Sequence, residues 1–398
     1  MVKTIDVYVK PKRIARYKQG CLPIHKDDIT NAEVLKNEGS IILLKDQNHQ
    51  FLAKGYYGKQ NKGIGWVLSH NQQENINDQF FKAKLKQAMR KRRHFYADPN
   101  TNAFRVFNGE GDGIGGLTID YFNGYYLINW YSEGIYSFQS AVIGALGLLD
   151  NYKAIYQKRR YDTKGQYIDD DDFVTGDRGE FPIIVKENGM NYAVYLNDGA
   201  MVGIFLDQRD VRKAIRDQYA KQKTVLNTFS YTGAFSVAAA VGGALKTTSV
   251  DLAKRSKAKT IEQFSVNGID FEQQDIIVMD VFDYFKYAKR KNLTFDLVIL
   301  DPPSFARSKK RTFSAAKDYP ALLKDTIPIT AKNGVIVASI NNATVSMKKF
   351  KGFIDKAFKE MNRKYRILET HSLPVDFATS DAYPEGDYLK VCFIKIMD

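Results

Sequence analysis

TVLNTFSYTGAFSVAAAVGGALKTTSVD, residues 224–251, sets the architecture of the C-terminal half. A short apolar strand, TVLNTFS, runs straight into a glycine turn at Gly233. The small residues Ala234, Ala238, Ala239 and Ala240 then suit a helix that packs closely on a sheet. A second strand, TTSVD, follows and ends on the carboxylate of Asp251. Strand, turn, helix and strand in this order make a parallel βαβ unit.

The same rhythm continues through DIIVMD, FDLVILD and GVIVASI, short apolar strands separated by helical segments. Such alternation predicts a mostly parallel sheet with helices on both faces. RILETHSLP and YLKVCFIKIM stand close together with no helix between them, so the last strand is expected to return antiparallel as a hairpin. That combination is the architecture of class I S-adenosylmethionine-dependent methyltransferases, by analogy of fold. Residues 1 to about 70 read as a small β domain, with strands IILLK and GWVLS and glycine turns at Gly55, Gly58, Gly63 and Gly65. INDQFFKAKLKQAMRKRR, 76–93, reads as a helix with a basic outer face that either joins domains or faces RNA. From Phe104 to about Asn197, LTIDYF, YYLINWY and the helix YSFQSAVIGALGLLD predict a central α+β domain. The expected boundaries are 1–72, 73–188 and 189–398.

GEGDGIGG, 109–116, contains the glycine spacing of a dinucleotide fingerprint, but the alternating LTIDYF follows it where a helix N-terminus is required. It is read as a turn. The ligand signals lie at the strand ends of the C-terminal half. Asp251 is placed to accept hydrogen bonds from both hydroxyls of a ribose, or to cap the helix of LAKRSKAK. Asp280, closing DIIVMD, can bind an adenine amino group. Turn, acid and acid at adjacent strand ends form a nucleoside pocket. NAD suits the same pocket, but SYTG replaces GxGxxG and no positioned histidine supports hydride chemistry.

SYTGAFS, SVD, DVFDYF, DPPSF and AYPEGDYLK, with GEGDGIGGLTIDYF and FLDQRDVR, resemble bacterial large-subunit (23S) ribosomal RNA methyltransferases that carry a PUA domain ahead of the catalytic domain. The resemblance spans nearly the whole chain. It implies an N-terminal PUA-like domain, a central α+β domain and a Rossmann-like catalytic domain using S-adenosylmethionine. By resemblance the cofactor-binding set is Gln208, Arg209, Asn227, Ser230, Tyr231, Thr232, Gly233, Ala234, Asp251, Leu252, Asp280, Val281 and Asp301. Arg209 is placed to clamp a carboxylate bidentately, or is a surface arginine at a helix start.

The catalytic set is Asp301, Pro302, Phe305 and Asn341. Asp301 and the following carbonyl are expected to accept hydrogen bonds from the target base, on a loop that Pro302 stiffens. Phe305 is either a stacking surface for the base or a packed ring beneath the loop. Arg307, Lys309, Lys310 and Arg311 are expected to track phosphates, or to be solvated loop charge. The cytosine-C5 branch of the family carries its nucleophilic cysteine after the fifth strand, and here Asn341 stands near that position. A related branch that methylates a guanine ring nitrogen has an Asn-Asn pair there, as Asn341-Asn342 do. Cys392, on the final strand, reads as a core residue, and Cys21 lies in the N-terminal domain.

Composition agrees with this reading. The chain has 398 residues, 44% of them hydrophobic, and a formal net charge of +14, which suits a polyanionic partner such as ribosomal RNA. Two cysteines and five scattered histidines predict neither a disulfide framework nor a metal site. No apolar run approaches the length of a membrane span, and a cytoplasmic location is expected. A homodimer is expected by resemblance. The competing readings are methylation of tRNA or another RNA, and a non-catalytic RNA-binding protein that keeps its cofactor pocket.

Overall fold

The computed structural model describes residues 4–60, 63–148, 152–161, 172–199, 201–307 and 312–398. They form two compact units. One comprises Met1–Ile183, Tyr195–Val202 and Val375–Gly386, the other Ile184–Val194, Gly203–Pro374 and Asp387–Asp398.

The first unit holds two five-stranded sheets. In the first, Thr4–Tyr8, Ile41–Lys45, Phe51–Gln60, Gly63–Ser69 and Pro23–His25 lie side by side in that order. The expected glycine turns are not turns. Gly55 and Gly58 lie inside one strand, Gly63 and Gly65 in the next. The two strands approach so closely that a Cβ on Gly55 would sit 2.3 Å from the Trp66 carbonyl oxygen, and one on Gly65 2.2 Å from that of Tyr56. Glycine serves close backbone approach here.

The second sheet runs Phe173–Gly176, Ala154–Arg159, Tyr125–Trp130, Leu117–Phe122 and Ala103–Asn108. Tyr56, Trp66 and Leu68 from the first sheet share a core with Phe104, Ile119, Ile128 and Trp130 of the second. That shared core explains why a boundary expected at 72 lies within one compact unit. We propose residue 72 as a subdivision within it. The boundary expected at 188 falls in the turn of a hairpin, Ile183–Glu187 with Met190–Val194. The unit division comes earlier because Glu187 is fully buried against Arg212 of the second unit, at 2.7 Å.

The helix expected over 76–93 spans Asp78–Lys91 and is capped by the Asn77 side chain, which accepts from the Phe80 amide at 3.1 Å. Phe80, Phe81, Leu85 and Ala88 face inward. Lys86 and Arg90 stand one turn apart on the outer face, with Arg93 beyond them. The helix expected over 136–150 is divided into Glu133–Tyr136 and Gln139–Gly147. GEGDGIGG is a turn, a 3-10 segment ending on Gly113 at φ +87° before the strand Leu117–Phe122.

The second unit contains a seven-stranded sheet. In chain order its strands are Thr224–Thr228, Lys246–Asp251, Asp275–Val278, Phe295–Leu300, Thr330–Asn341, Tyr365–His371 and Leu389–Ile396. In space they run third, second, first, fourth, fifth, seventh, sixth. The first five are parallel, and the seventh is antiparallel to both its neighbours. The hairpin expected at the end is present, with its antiparallel last strand inserted beside the fifth. Alternation assigns the two faces: Leu226, Val298, Leu300 and Ile336 enter one core, Val225, Leu297, Ile299 and Val337 the other. Strands buried on both faces read as continuous apolar runs. The strand order reverses between the first and fourth strands, and ligands of such sheets bind outside the carboxyl ends at that point.

Candidate active site

The turn that leaves the first strand is unusually constrained. Phe229, Tyr231 and Gly233 have φ of +53°, +52° and +82°. Positive φ at two aromatic residues stores backbone strain, which persists where surrounding contacts enforce it. Here the Ser230 amide donates to the Val250 carbonyl at 3.1 Å, and the Gly233 amide to Ser230 at 2.7 Å. The Tyr231 amide donates to Asp251 Oδ2 at 2.9 Å, and Thr232 Oγ1 to the Gly203 carbonyl at 2.6 Å. Gly233 precedes the helix Ala234–Val241, and a Cβ on it would lie 2.6 Å from Thr260 Cγ2. Beneath the turn, Asn227 is fully buried. Its Nδ2 donates to Ser236 Oγ at 3.0 Å, while its Oδ1 has no hydrogen-bond partner among the described residues.

Asp251 Oδ1 accepts from the Ala253 amide at 2.8 Å, so this carboxylate braces two loops and does not cap the helix Arg255–Ser265. Each oxygen has one amide donor, which leaves acceptor capacity for hydroxyl groups. Leu252 beside it is 54% exposed. Asp280 does the capping: its Oδ1 accepts from the Phe282 amide at 2.9 Å and the Asp283 amide at 3.4 Å, opening the helix Val281–Arg290. The side chain of Val281 belongs to the core, so only its backbone faces the strand end.

Across the switch point, Asp301 follows the fourth strand. Gln208 Nε2 donates to Asp301 Oδ1 at 3.1 Å and to Ser339 Oγ at 2.8 Å. Burial pushes the Asp301 carboxyl up to about 6, and the nearby Asp207 carboxylate adds to the rise. Hydrogen bonds from Ser339 and Gln208, with the Arg212 charge, oppose it. Asp207 in turn accepts from the Tyr388 hydroxyl at 3.0 Å. Arg212 holds Glu187 through two hydrogen bonds of 2.7 Å. Arg209 is buried, with Asp210 3.6 Å away, so it is not a surface arginine.

The DPPSF loop and the Asn341-Asn342 turn are joined. Ser304 Oγ donates to the Asn341 carbonyl. The Asn342 amide donates to the Tyr388 carbonyl at 3.0 Å, and Lys390 Nζ reaches the carbonyls of Asn342 at 3.3 Å and Asp387 at 2.6 Å. Pro302 is buried, whereas the Asn341 side chain is exposed. Phe305 is 63% exposed, which excludes a packed ring beneath the loop. Arg307 is exposed; Lys309, Lys310 and Arg311 lie outside the described residues. Both cysteines are buried and burial raises both thiols, that of Cys392 to about 12. Neither is positioned as a thiolate nucleophile.

Comparison with known proteins agrees with this geometry. The model of the S-adenosylmethionine-dependent methyltransferase family matches residues 105–382, and that of a PUA-like domain matches 7–70. The chain belongs to the S-adenosylmethionine-dependent methyltransferase family. It is 61% identical to the Bacillus subtilis (strain 168) protein YwbD over 97% of this chain and 98% of that one. It is 29% identical to ribosomal RNA large subunit methyltransferase I of Klebsiella pneumoniae (strain ATCC 700721 / MGH 78578), over 94% of each. Among solved structures, SMU.776 complexed with SAH matches with a TM-score of 0.90 and 39% identity, covering 99% of this chain and all of that one.

The residues of this methyltransferase fit an adenosyl cofactor. A turn fixed by Gly233, two strand-end carboxylates with spare acceptor capacity and an unpartnered Asn227 Oδ1 surround the carboxyl ends of the first three strands. Among the described residues no His, Cys, Asp or Glu cluster could hold a metal ion, and no helix is long and apolar enough to cross a membrane. Residues the sequence reading left without a role are Asp207, Ser304, Ser339, Tyr388 and Lys390. Asp207 and Tyr388 sit in the quoted motifs FLDQRDVR and AYPEGDYLK, and Ser339 in GVIVASI. Only folding shows that these segments converge on Asp301 and Asn341.

Proposed function

We propose that this methyltransferase acts on a base of large-subunit ribosomal RNA by a non-covalent mechanism. The observation that carries the mechanism is the pairing of a strand-end acid, Asp301, with an exposed Phe305, while both cysteines are buried. YwbD is named, provisionally, as a ribosomal RNA large subunit methyltransferase, and the Klebsiella relative carries that name outright. The net charge of +14 and the outward Lys86, Arg90 and Arg93 suit an RNA backbone.

Asp251 is assigned the ribose hydroxyls and Asp280 Oδ2 the adenine edge, with the turn Ser230–Ala234 against the nucleoside. Bound S-adenosylmethionine supplies an electrophilic methyl group. Asp301 accepts a hydrogen bond from an N–H of the flipped base and so fixes which base edge faces that methyl. Phe305 offers a stacking face, and the Asn341 side chain a second hydrogen bond. The tie from Ser304 to the Asn341 carbonyl holds these two base-contacting loops in fixed register. Neither thiol is available to attack cytosine C6, so the reading favours a nitrogen target. A cytoplasmic site of action and a homodimer belong to the same reading. Incubation with tritiated S-adenosylmethionine and unmodified ribosomal RNA or tRNA tests it: label in large-subunit RNA supports the assignment, and label confined to tRNA, or none, refutes it.

A further inference from the structure

The assignment of Asp301 to the base raises the question of what orients a carboxylate that burial and a neighbouring acid both disfavour. Gln208 provides an answer distinct from cofactor binding. It is 3% exposed, and its amide nitrogen is divided between Asp301 Oδ1 at 3.1 Å and Ser339 Oγ at 2.8 Å. Its Oε1 is buried without a hydrogen-bond partner among the described residues. The reverse amide orientation would set that oxygen against the Asp301 carboxylate, so the orientation is fixed by charge. Ser339 is 1% exposed and accepts from Gln208, the same amide that donates to Asp301, and its hydroxyl favours the ionised Asp301 carboxylate. Its own backbone is anchored by the Tyr319 hydroxyl, which donates to the Ser339 carbonyl at 2.7 Å.

We propose that Gln208 and Ser339 are positioning residues that bracket the Asp301 carboxylate for the incoming base, and that the Gln208 amide is not a ligand of the methyl donor. The proposal rests on the reading of Asp301 as the base-contacting acid. Three elements contribute: the segment Leu206–Gln208, the end of the fourth strand and the fifth strand. Carrying an unsatisfied carbonyl at Oε1 is what the fold accepts in order to keep the amide nitrogen on Asp301. The other titratable groups facing Asp301 are Asp207, Arg212 and Tyr319.

The test combines titration with kinetics. In the protein without ligands, carbon-13 NMR of labelled aspartate, assigned with Asp301→Asn, reads the Asp301 midpoint. Gln208→Leu and Ser339→Ala should each move it to higher pH, because each removes a donor to the ionised form. In turnover, Gln208→Leu should lower kcat by roughly 10-fold or more and move the acid limb of its pH profile upward, with KM for RNA and Kd for S-adenosylhomocysteine within about threefold. The double variant should lose less than the product of the single losses. A Kd weakened by more than about tenfold with an unmoved acid limb would make Gln208 a cofactor ligand and overturn the proposal. An unchanged Asp301 midpoint in both variants would overturn it irrespective of activity. A wild-type protein that labels no ribosomal RNA would refute the functional reading alone, and the NMR midpoints would still decide the bracket.

Discussion

Replacing Asp301 with Asn should stabilise the protein while removing most of its activity. The carboxyl is raised from the ordinary 3.8 to about 6, chiefly by burial. A tenfold change in proton affinity is worth about 1.4 kcal/mol, so holding Asp301 ionised costs the folded state about 2–3 kcal/mol at neutral pH. The sign follows from proton counting. Between pH 3.8 and about 6 the folded state binds more protons than the unfolded one. Stability therefore falls as pH rises through that window, and the full cost remains above it. Asn is nearly isosteric and keeps an acceptor for Gln208 Nε2. At pH 8 the transition of the unit carrying the seven-stranded sheet should rise by about 4–10 °C, and the gain should vanish toward pH 4. Because the chain has two units, that transition must be followed separately from the other. Methyl transfer should fall by about 10- to 100-fold, the value of one charge-assisted hydrogen bond. A variant no more stable than wild type at pH 8, or stabilised equally at both pH values, would refute the placement of a strained carboxylate at this strand end.

Asp251→Ala should weaken S-adenosylhomocysteine binding by about 1.5–3 kcal/mol in calorimetry, since the carboxylate is assigned both ribose hydroxyls and also braces the Tyr231 and Ala253 amides. Cys21→Ser and Cys392→Ser should keep transferase activity, and RNA bearing 5-fluorocytosine should form no covalent adduct on a denaturing gel, because both thiols are buried. RNA affinity measured against salt should fall with a log-log slope of several units. Lys86→Glu with Arg90→Glu should reduce that slope by about 1–2 if the outer face of the helix Asp78–Lys91 contacts phosphates.

Much of the fold was legible because strands buried on both faces leave continuous apolar runs, and GVIVASI or FDLVILD has no other ready reading. The insertion of Leu389–Ile396 beside the fifth strand was not legible, since a hairpin fixes neighbours within itself but not which of its strands meets the rest of the sheet. Glycine spacing misled at Gly55 and Gly65, where the demand is for space opposite a backbone carbonyl and not for a turn. Asp251 and Asp280 were both visible as strand-end acids, but the helix cap offered as the alternative for Asp251 is made by Asp280, while Asp251 braces two loops. Capping depends on where the helix begins, and the helix after Asp251 begins only at Arg255. The bracket on Asp301 joins residues 93 and 131 positions apart in the chain, a relation that no local pattern encodes.

The central claim is non-covalent methylation of a base in large-subunit ribosomal RNA, and mapping the methylated nucleoside tests it most directly. Large-subunit RNA from cells lacking this protein would be incubated with it and tritiated S-adenosylmethionine, digested, and its nucleosides separated. The account predicts label in a single purine nucleoside, reduced by about 10- to 100-fold with Asp301→Asn and retained with Cys392→Ser. Label at cytosine C5, or a protein-RNA adduct that disappears in Cys392→Ser, would contradict it.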